Sequence, residues 1–361
     1  MRAKRPKLGS RKKSPDLETL FYGALCLALL GLVAWRLWVF KHAQEAAPPA
    51  KQPVTNNAPI AKPTPQPIVT RAPIPAEGRP VQNVFEAQVV LAREGISCGS
   101  IDGVAGSQTR SAFLAFQKKR GLPLTGVLDQ ETRDALLLDA PTTTEYTVTA
   151  EDLARLLPIG TTWQAKSEQP RLDYPNLLEL LGEKSFSHPQ FIRALNPQID
   201  WSNVPIGAQV ILPNVSYPPA ASKAATITIY LEQRLLEAFD DNGALLVHFP
   251  CSIGRLAEKR PTGELHVANI ALGPNYTFDP DVFPESEEAQ EIGHKLILPP
   301  GPRNPVGMAW IGLDRPGYGI HGTPAPEKVG RTESHGCFRL ANWNAEYLAK
   351  LVWVGMPVTI E

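Results

Sequence analysis

The stretch from Leu20 to Phe40 limits this chain more than any other, because it is almost continuously apolar and broken only by Arg36. As a helix rising about 1.5 Å per residue it would measure about 31 Å, the thickness of a bilayer core. Arg2, Lys4, Arg5, Lys7, Arg11, Lys12 and Lys13 precede it, and basic flanks of this kind stay in the cytoplasm. Arg36 lies near the outer end, where it can snorkel, and Trp35 and Trp38 suit an interface. The pattern predicts a cytoplasmic tail at 1–19 and a single-pass transmembrane helix at 20–40 in the cytoplasmic (inner) membrane. Everything after it would lie on the periplasmic or extracytoplasmic side. A cleaved signal peptide is the competing reading, but the run is long for a signal core and no small-x-small site follows it.

Residues 41–80 hold Pro48, Pro49, Pro53, Pro59, Pro63, Pro65, Pro67, Pro73, Pro75 and Pro80, with few apolar anchors. Such a segment is expected to be a disordered linker. Proline-rich chain extends toward about 3.1 Å per residue, enough to hold a domain on the order of 100 Å from the membrane. That reach suits a target in a fixed layer outside the membrane, and it suits a passive spacer equally well.

The 361 residues leave room for two or three domains at roughly 100–200 residues each. The formal net charge of zero argues against a bulk electrostatic nucleic-acid binder. The four cysteines, Cys26, Cys98, Cys251 and Cys337, fall in separate regions without paired spacing. They read as individual thiols rather than a disulfide framework, with a Cys98–Cys251 bridge as the alternative. Cys251 follows Leu245, Leu246 and Val247 and reads as a buried small hydrophobe, and Cys98 as a loop or core residue.

From 81 to 140 three short helical patterns alternate with turns. Val89, Val90 and Leu91 sit on the first helix, which Gly95 ends. Thr109, Ala112, Phe113 and Phe116 mark the second, and Asp129 N-caps the third. With Ile101-Asp102-Gly103, Gly106 to Thr109, Ala115-Phe116-Gln117 and Gly126-Val127, the region resembles the small three-helix peptidoglycan-binding domain. Asp102 reads as the residue that fixes the Asp-Gly turn. From 144 to 216 a strand at Tyr146-Thr147-Val148, a helical middle, and Ile206-Gly207-Ala208-Gln209-Val210-Ile211-Leu212-Pro213 resemble a LysM module, an α+β glycan-binding unit. Here Ala150-Glu151-Asp152 replaces the usual glycine-aspartate, and extra residues stand around Tyr174 and Phe186. A structural connector is the other reading of this region.

The last region, 225–361, alternates apolar and polar residues at Ile227, Ile229 and Leu231, and turns at Asp241-Asn242-Gly243. Many strands joined by Gly and Pro turns predict a mainly-β domain. Its chemistry centres on Ser334-His335-Gly336-Cys337, downstream of Ile320-His321-Gly322-Thr323. Histidine can take a thiol proton, and glycine lets backbone approach a carbonyl. If Cys337 to Leu340 is extended, Cys337 and Arg339 share one face while Phe338 and Leu340 turn to the core. The acidic stretch with Asp279, Asp281, Glu285, Glu287, Glu288 and Glu291 reads as a solvated loop or a lid over the site. His188, His248, His266 and His294 read as surface or satisfied core residues.

Pro261-Thr262-Gly263, Pro300 to Gly307, Tyr318 to Thr323 and Ser334 to Leu340, in that order, resemble the YkuD-type L,D-transpeptidase catalytic domain along the whole region. Phe338 stands where an isoleucine-like residue is common. The resemblance implies Cys337 as nucleophile and His321 as proton acceptor and donor, holding a thiolate–imidazolium pair with a backbone carbonyl such as that of Gly322 orienting the ring. It implies backbone N–H groups of Gly336 and Cys337 at the oxyanion and His335 beside the cysteine. Arg339, Ser334, Gly322 and Thr323 would bind substrate, Arg339 either meeting a carboxylate or bracing its loop.

The reaction implied is acyl transfer between peptidoglycan stem tetrapeptides, giving a 3→3 cross-link in the cell wall. Water as acceptor would make an L,D-carboxypeptidase, and a protein amine a protein-attaching enzyme. A non-catalytic tether on glycan strands is the reading from another class, against which the intact cysteine and histidine argue. No cofactor is implied. His321, His335 and Cys337 offer zinc-ligand types, but without paired spacing, and the family needs no metal.

Overall fold

The computed structural model of the chain describes residues 78–254, 260–331 and 336–361. The expected tail and transmembrane helix, and the linker up to residue 77, lie outside the described residues. Among the described residues no helix is long and apolar enough to cross a membrane.

The expected linker ends early: Arg79–Pro80 form strand β1, paired with β2 (Leu137–Leu138). Arg79 anchors it through two hydrogen bonds to Glu86, at 2.8 and 2.7 Å. Between these strands lie α1 (Val84–Arg93), α2 (Ser107–Arg120) and α3 (Gln130–Ala135). Asn83 and Asp129 cap α1 and α3, each accepting the N–H three residues on. Phe113, Phe116, Leu91, Leu136 and Leu138 form their common core.

The middle region is framed by β3 (Thr143–Thr147) and β4 (Gln209–Pro213), which pair antiparallel. Between them come α4 (Ala150–Ala154), α5 (Trp163–Ser167), α6 (Leu177–Lys184) and α7 (Pro189–Leu195). Val148, Leu180, Leu181, Ile192 and Val210 fill its core. Phe186 stacks on Tyr217 and Trp343, at 4.9 and 5.7 Å between centroids, which ties this region to the C-terminal one.

The C-terminal region is an eight-stranded sheet. In chain order its strands are β5 (Thr226–Tyr230), β6 (Leu235–Phe239), β7 (Leu245–Pro250), β8 (Gly263–Leu272), β11 (Ala309–Leu313), β12 (Gly319–His321), β13 (Phe338–Arg339) and β14 (Pro357–Ile360). Across the sheet they run β13-β12-β11-β8-β14-β5-β6-β7. Beyond β7 the chain returns to the opposite edge, where Ser252 and Arg339 exchange both backbone hydrogen bonds at 2.9 Å. The sheet therefore curls on itself, and Ser252 covers the outer edge of β13. Helix α9 (Asn342–Leu351) packs on the inner face, where Ile311, Ile320, Phe338, Leu340 and Leu348 are buried.

A smaller two-stranded unit, β9 (Tyr276–Phe278) with β10 (Leu296–Leu298), carries α8 (Glu287–Ile292) between its strands. The carboxylates of the acidic stretch at Asp281, Glu285, Glu287 and Glu291 are exposed, as a solvated stretch requires, but the segment is folded rather than a bare loop. Phe278 and Ala289, with the partly buried Phe283 and Ile292, form an apolar cluster with Trp163 of the middle region.

The first region covers edge strand β7. Ser97 N–H donates to the His248 carbonyl at 2.8 Å and His248 N–H to the Gly95 carbonyl at 3.1 Å. The buried His248 ring bridges Ser111 Oγ (3.1 Å) and Glu237 Oε1 (2.9 Å). His248 is thus a satisfied core residue that pins one region to the next. His248→Ala should cost about 2–3 kcal/mol by leaving buried polar groups unpaired, measured as a lower urea midpoint of the whole chain; an unchanged midpoint would contradict the pin.

Candidate active site

Strand β12 pairs in parallel with β13, Ile320 opposite Phe338 and His321 opposite Arg339. Side chains alternate along a strand. Ile320 and Phe338 point into the core and are fully buried, so His321, Cys337 and Arg339 belong to the other face. Pairing of the strands and the alternation of each are enough to gather the three.

His321 is only 4% exposed. Its Nδ1 lies 2.6 Å from the Gly322 carbonyl oxygen. A carbonyl only accepts, so Nδ1 carries the proton and Nε2 is left as the base. Burial is the main force on the ring and lowers its pKa to about 4; the Gly322 carbonyl opposes this, and the positive Arg339 adds to it. Burial also pushes the Cys337 thiol up, opposed by an N–H from Gly319 and by Arg339. Cys337 Sγ further approaches the Gly317 carbonyl at 3.4 Å. Burial thus opposes charge on both groups of the expected pair, and Arg339 favours the thiolate while disfavouring the imidazolium.

Trp310, directly opposite His321 on β11, stacks on the imidazole at 5.6 Å and 23°. Its indole also covers Gly319, where an added Cβ would sit 2.6 Å from the ring. Behind the site, fully buried Asn342 accepts from Met308 N–H (3.2 Å) and donates to the Pro302 carbonyl (3.1 Å) and Glu183 (3.0 Å). Asn304 bridges within the same loop, donating to the Pro299 carbonyl at 2.9 Å. Sequence reading passed over Trp310, Asn342 and Tyr276. Burial pushes the Tyr276 hydroxyl up, and the charges of Cys337 and Arg339 act on it. An aromatic residue at an outward strand position was the one local sign for Trp310.

The remaining candidates take different positions around this pair. Gly336 closes against Gly254, where an added Cβ would meet Gly336 Cα at 3.2 Å. Gly322 commits its carbonyl to the imidazole rather than to a substrate. Thr323 and Arg339 line a cleft of about 450 Å³ with Ser252 and Arg303, and Arg339 Nε is buried without a hydrogen-bond partner. Ser334 and His335 lie outside the described residues. Among the described residues no group of three or more His, Cys, Asp or Glu side chains could hold a metal ion. Cys98 and Cys251 are buried away from this face in separate cores.

Two outcomes test this geometry. The acidic limb of Cys337 acylation should fall near pH 4, where His321 gains its proton, rather than near the ordinary histidine value of 6.5. A limb at 6 to 7 (an approximate range around the ordinary value) in a chain whose fluorescence shows it folded would contradict it. Gly319→Ala should displace Trp310, lowering stability by about 1–3 kcal/mol and slowing acylation, both read on one purified variant.

Residues 224–360 match the family model described as "L,D-transpeptidase catalytic domain" (YkuD), and residues 80–136 match "Putative peptidoglycan binding domain". "Putative L,D-transpeptidase YkuD" of Bacillus licheniformis is 26% identical over 47% of this chain and 85% of its own length. "Probable L,D-transpeptidase ErfK/SrfK" of Escherichia coli is 31% identical over 46% of this chain and 53% of its own length. A solved L,D-transpeptidase from Xylanimonas cellulosilytica is 17% identical, covering 81% of this chain and 99% of its own, with a TM-score of 0.34. Residues 224–360 are a YkuD-family L,D-transpeptidase catalytic domain, carried behind a peptidoglycan-binding domain at residues 80–136.

Proposed function

We propose that the protein is a cysteine-dependent L,D-transpeptidase that joins peptidoglycan stem peptides through 3→3 cross-links. What supports this most is His321: its Nδ1–H is held by the Gly322 carbonyl, so Nε2 stands as a base on the strand face it shares with Cys337.

The Cys337 sulfur attacks the carbonyl carbon of the diamino acid at the third stem position, and its proton passes to His321 Nε2. The carbonyl oxygen becomes an oxyanion facing the N–H groups of Gly336 and Cys337, each such donor being worth about 3 kcal/mol. The C–N bond to the terminal D-alanine then breaks. That amine leaves with the proton from His321, and a thioester remains. An amine of a neighbouring stem attacks the thioester, gives its proton to His321, and releases the Cys337 thiol. Water or a protein amine in place of that amine would give the carboxypeptidase or protein-attaching reaction.

Wall binding by residues 80–136 fits the same target. The β3–helices–β4 frame of the middle region supports a LysM-like contact with glycan strands. The apolar run from Leu20 to Phe40 supports an anchor in the cytoplasmic membrane that places both modules on the periplasmic or extracytoplasmic side.

Incubation with disaccharide tetrapeptide, followed by mass spectrometry, tests the proposal. A cross-linked dimer and a mass adduct on Cys337 are expected, and Cys337→Ala should abolish both while leaving wall binding intact. Cross-linking by the alanine variant would remove Cys337 from its role. Tripeptide alone would mark the carboxypeptidase.

A further inference from the structure

The cleft beside Arg339 is not walled by the catalytic domain alone. Trp163 and Lys166, from helix α5 of the middle region, line it together with Ser252, Arg303, Lys328 and Arg339. Four of these side chains are cationic, and among the described residues no Asp or Glu lines the cleft.

Helix α5 is fixed there by contacts of two kinds. Trp163 stacks on Phe278 at 4.6 Å and 20° and leans on Tyr276 and Phe283 at 6.2 and 5.8 Å. Its backbone N–H donates to the Glu288 carboxylate. Further along, Leu172 N–H donates to the Pro300 carbonyl and Arg303 N–H to the Leu172 carbonyl, both at 3.0 Å. The segment thus grips both the β9–β10 unit and the loop that carries Arg303. Lys166 Nζ lies 5.0 Å over the Trp163 ring, a cation–π contact that holds its position without neutralising its charge. Arg303 is partly engaged, its Nη1 donating to Glu179 Oε2 (3.2 Å) and to the Pro324 carbonyl (2.9 Å).

We propose that Lys166, with Arg303, forms a subsite for the carboxylate of a stem peptide, so that the middle region helps select the substrate. The proposal rests on the transpeptidase reading above. A carboxylate in a cleft whose described lining holds four cations gains charge-assisted hydrogen bonds, with Glu179 drawing on one face of Arg303 only. The terminal carboxylate of the donor and that of the acceptor share this chemistry.

Steady-state kinetics on the full chain separates the two. Donor tetrapeptides ending in carboxylate or carboxamide are compared for acyl-enzyme formation, and acceptors of both kinds for cross-linking. Lys166→Ala should raise KM about tenfold for the carboxylate form in one of the two arms. It should leave kcat and the carboxamide form nearly unchanged, and Lys166→Arg should recover most of the loss. The arm that responds names the source. Equal loss on carboxylate and carboxamide forms, or no change in either arm in a variant with unaltered thermal midpoint, would overturn the subsite. Absence of any acyl-enzyme in the wild type would overturn the transpeptidase reading and this one with it.

Discussion

The site depends on the parallel pairing of two short strands, β12 and β13. Ile320 opposite Phe338 buries two apolar side chains in the core, and that burial sets the register. A slip of one residue would turn Phe338 outward and drive Cys337 into the core, since side chains alternate with a period of two. Two residues of strand are a weak basis for such a choice. The return of Ser252 across β13 adds a second ladder on its far side. Gly254 lies close against Gly336, the step before Cys337, where a Cβ at Gly254 would press on the Gly336 Cα at 3.2 Å. The curl of the whole sheet is thus what holds the cysteine in place.

Local features of the fold were legible in the sequence. The cap at Asp129, the hairpin at Asp241-Asn242-Gly243 and the alternation through Ile227 and Ile229 each depend on neighbours a few residues away. The Cys337–His321 partnership was legible because both lie in short ordered motifs. Trp310, Asn342 and Trp163 were not, because each acts on residues brought near only by pairing or packing over long separations. The packing beneath the acidic stretch was not legible for the same reason. Its carboxylates are visible in the sequence, whereas the partner for Phe278 and Phe283 is a tryptophan more than a hundred positions earlier. Charge state was the least legible feature, since it depends on how much water the folded chain removes.

That removal of water has a consequence for the chemistry. Burial pulls the His321 pKa down to about 4 and pushes the Cys337 thiol up, so it opposes charge on both groups. In the proposed attack the charge leaving sulfur moves onto a carbonyl oxygen that donors can hold. Arg339 shifts both groups in the useful direction, lowering the thiol and keeping the imidazole neutral. Burial and Arg339 thus pull the Cys337 thiol in opposite directions, and the arginine on the same strand face is the group that favours its reactive thiolate form.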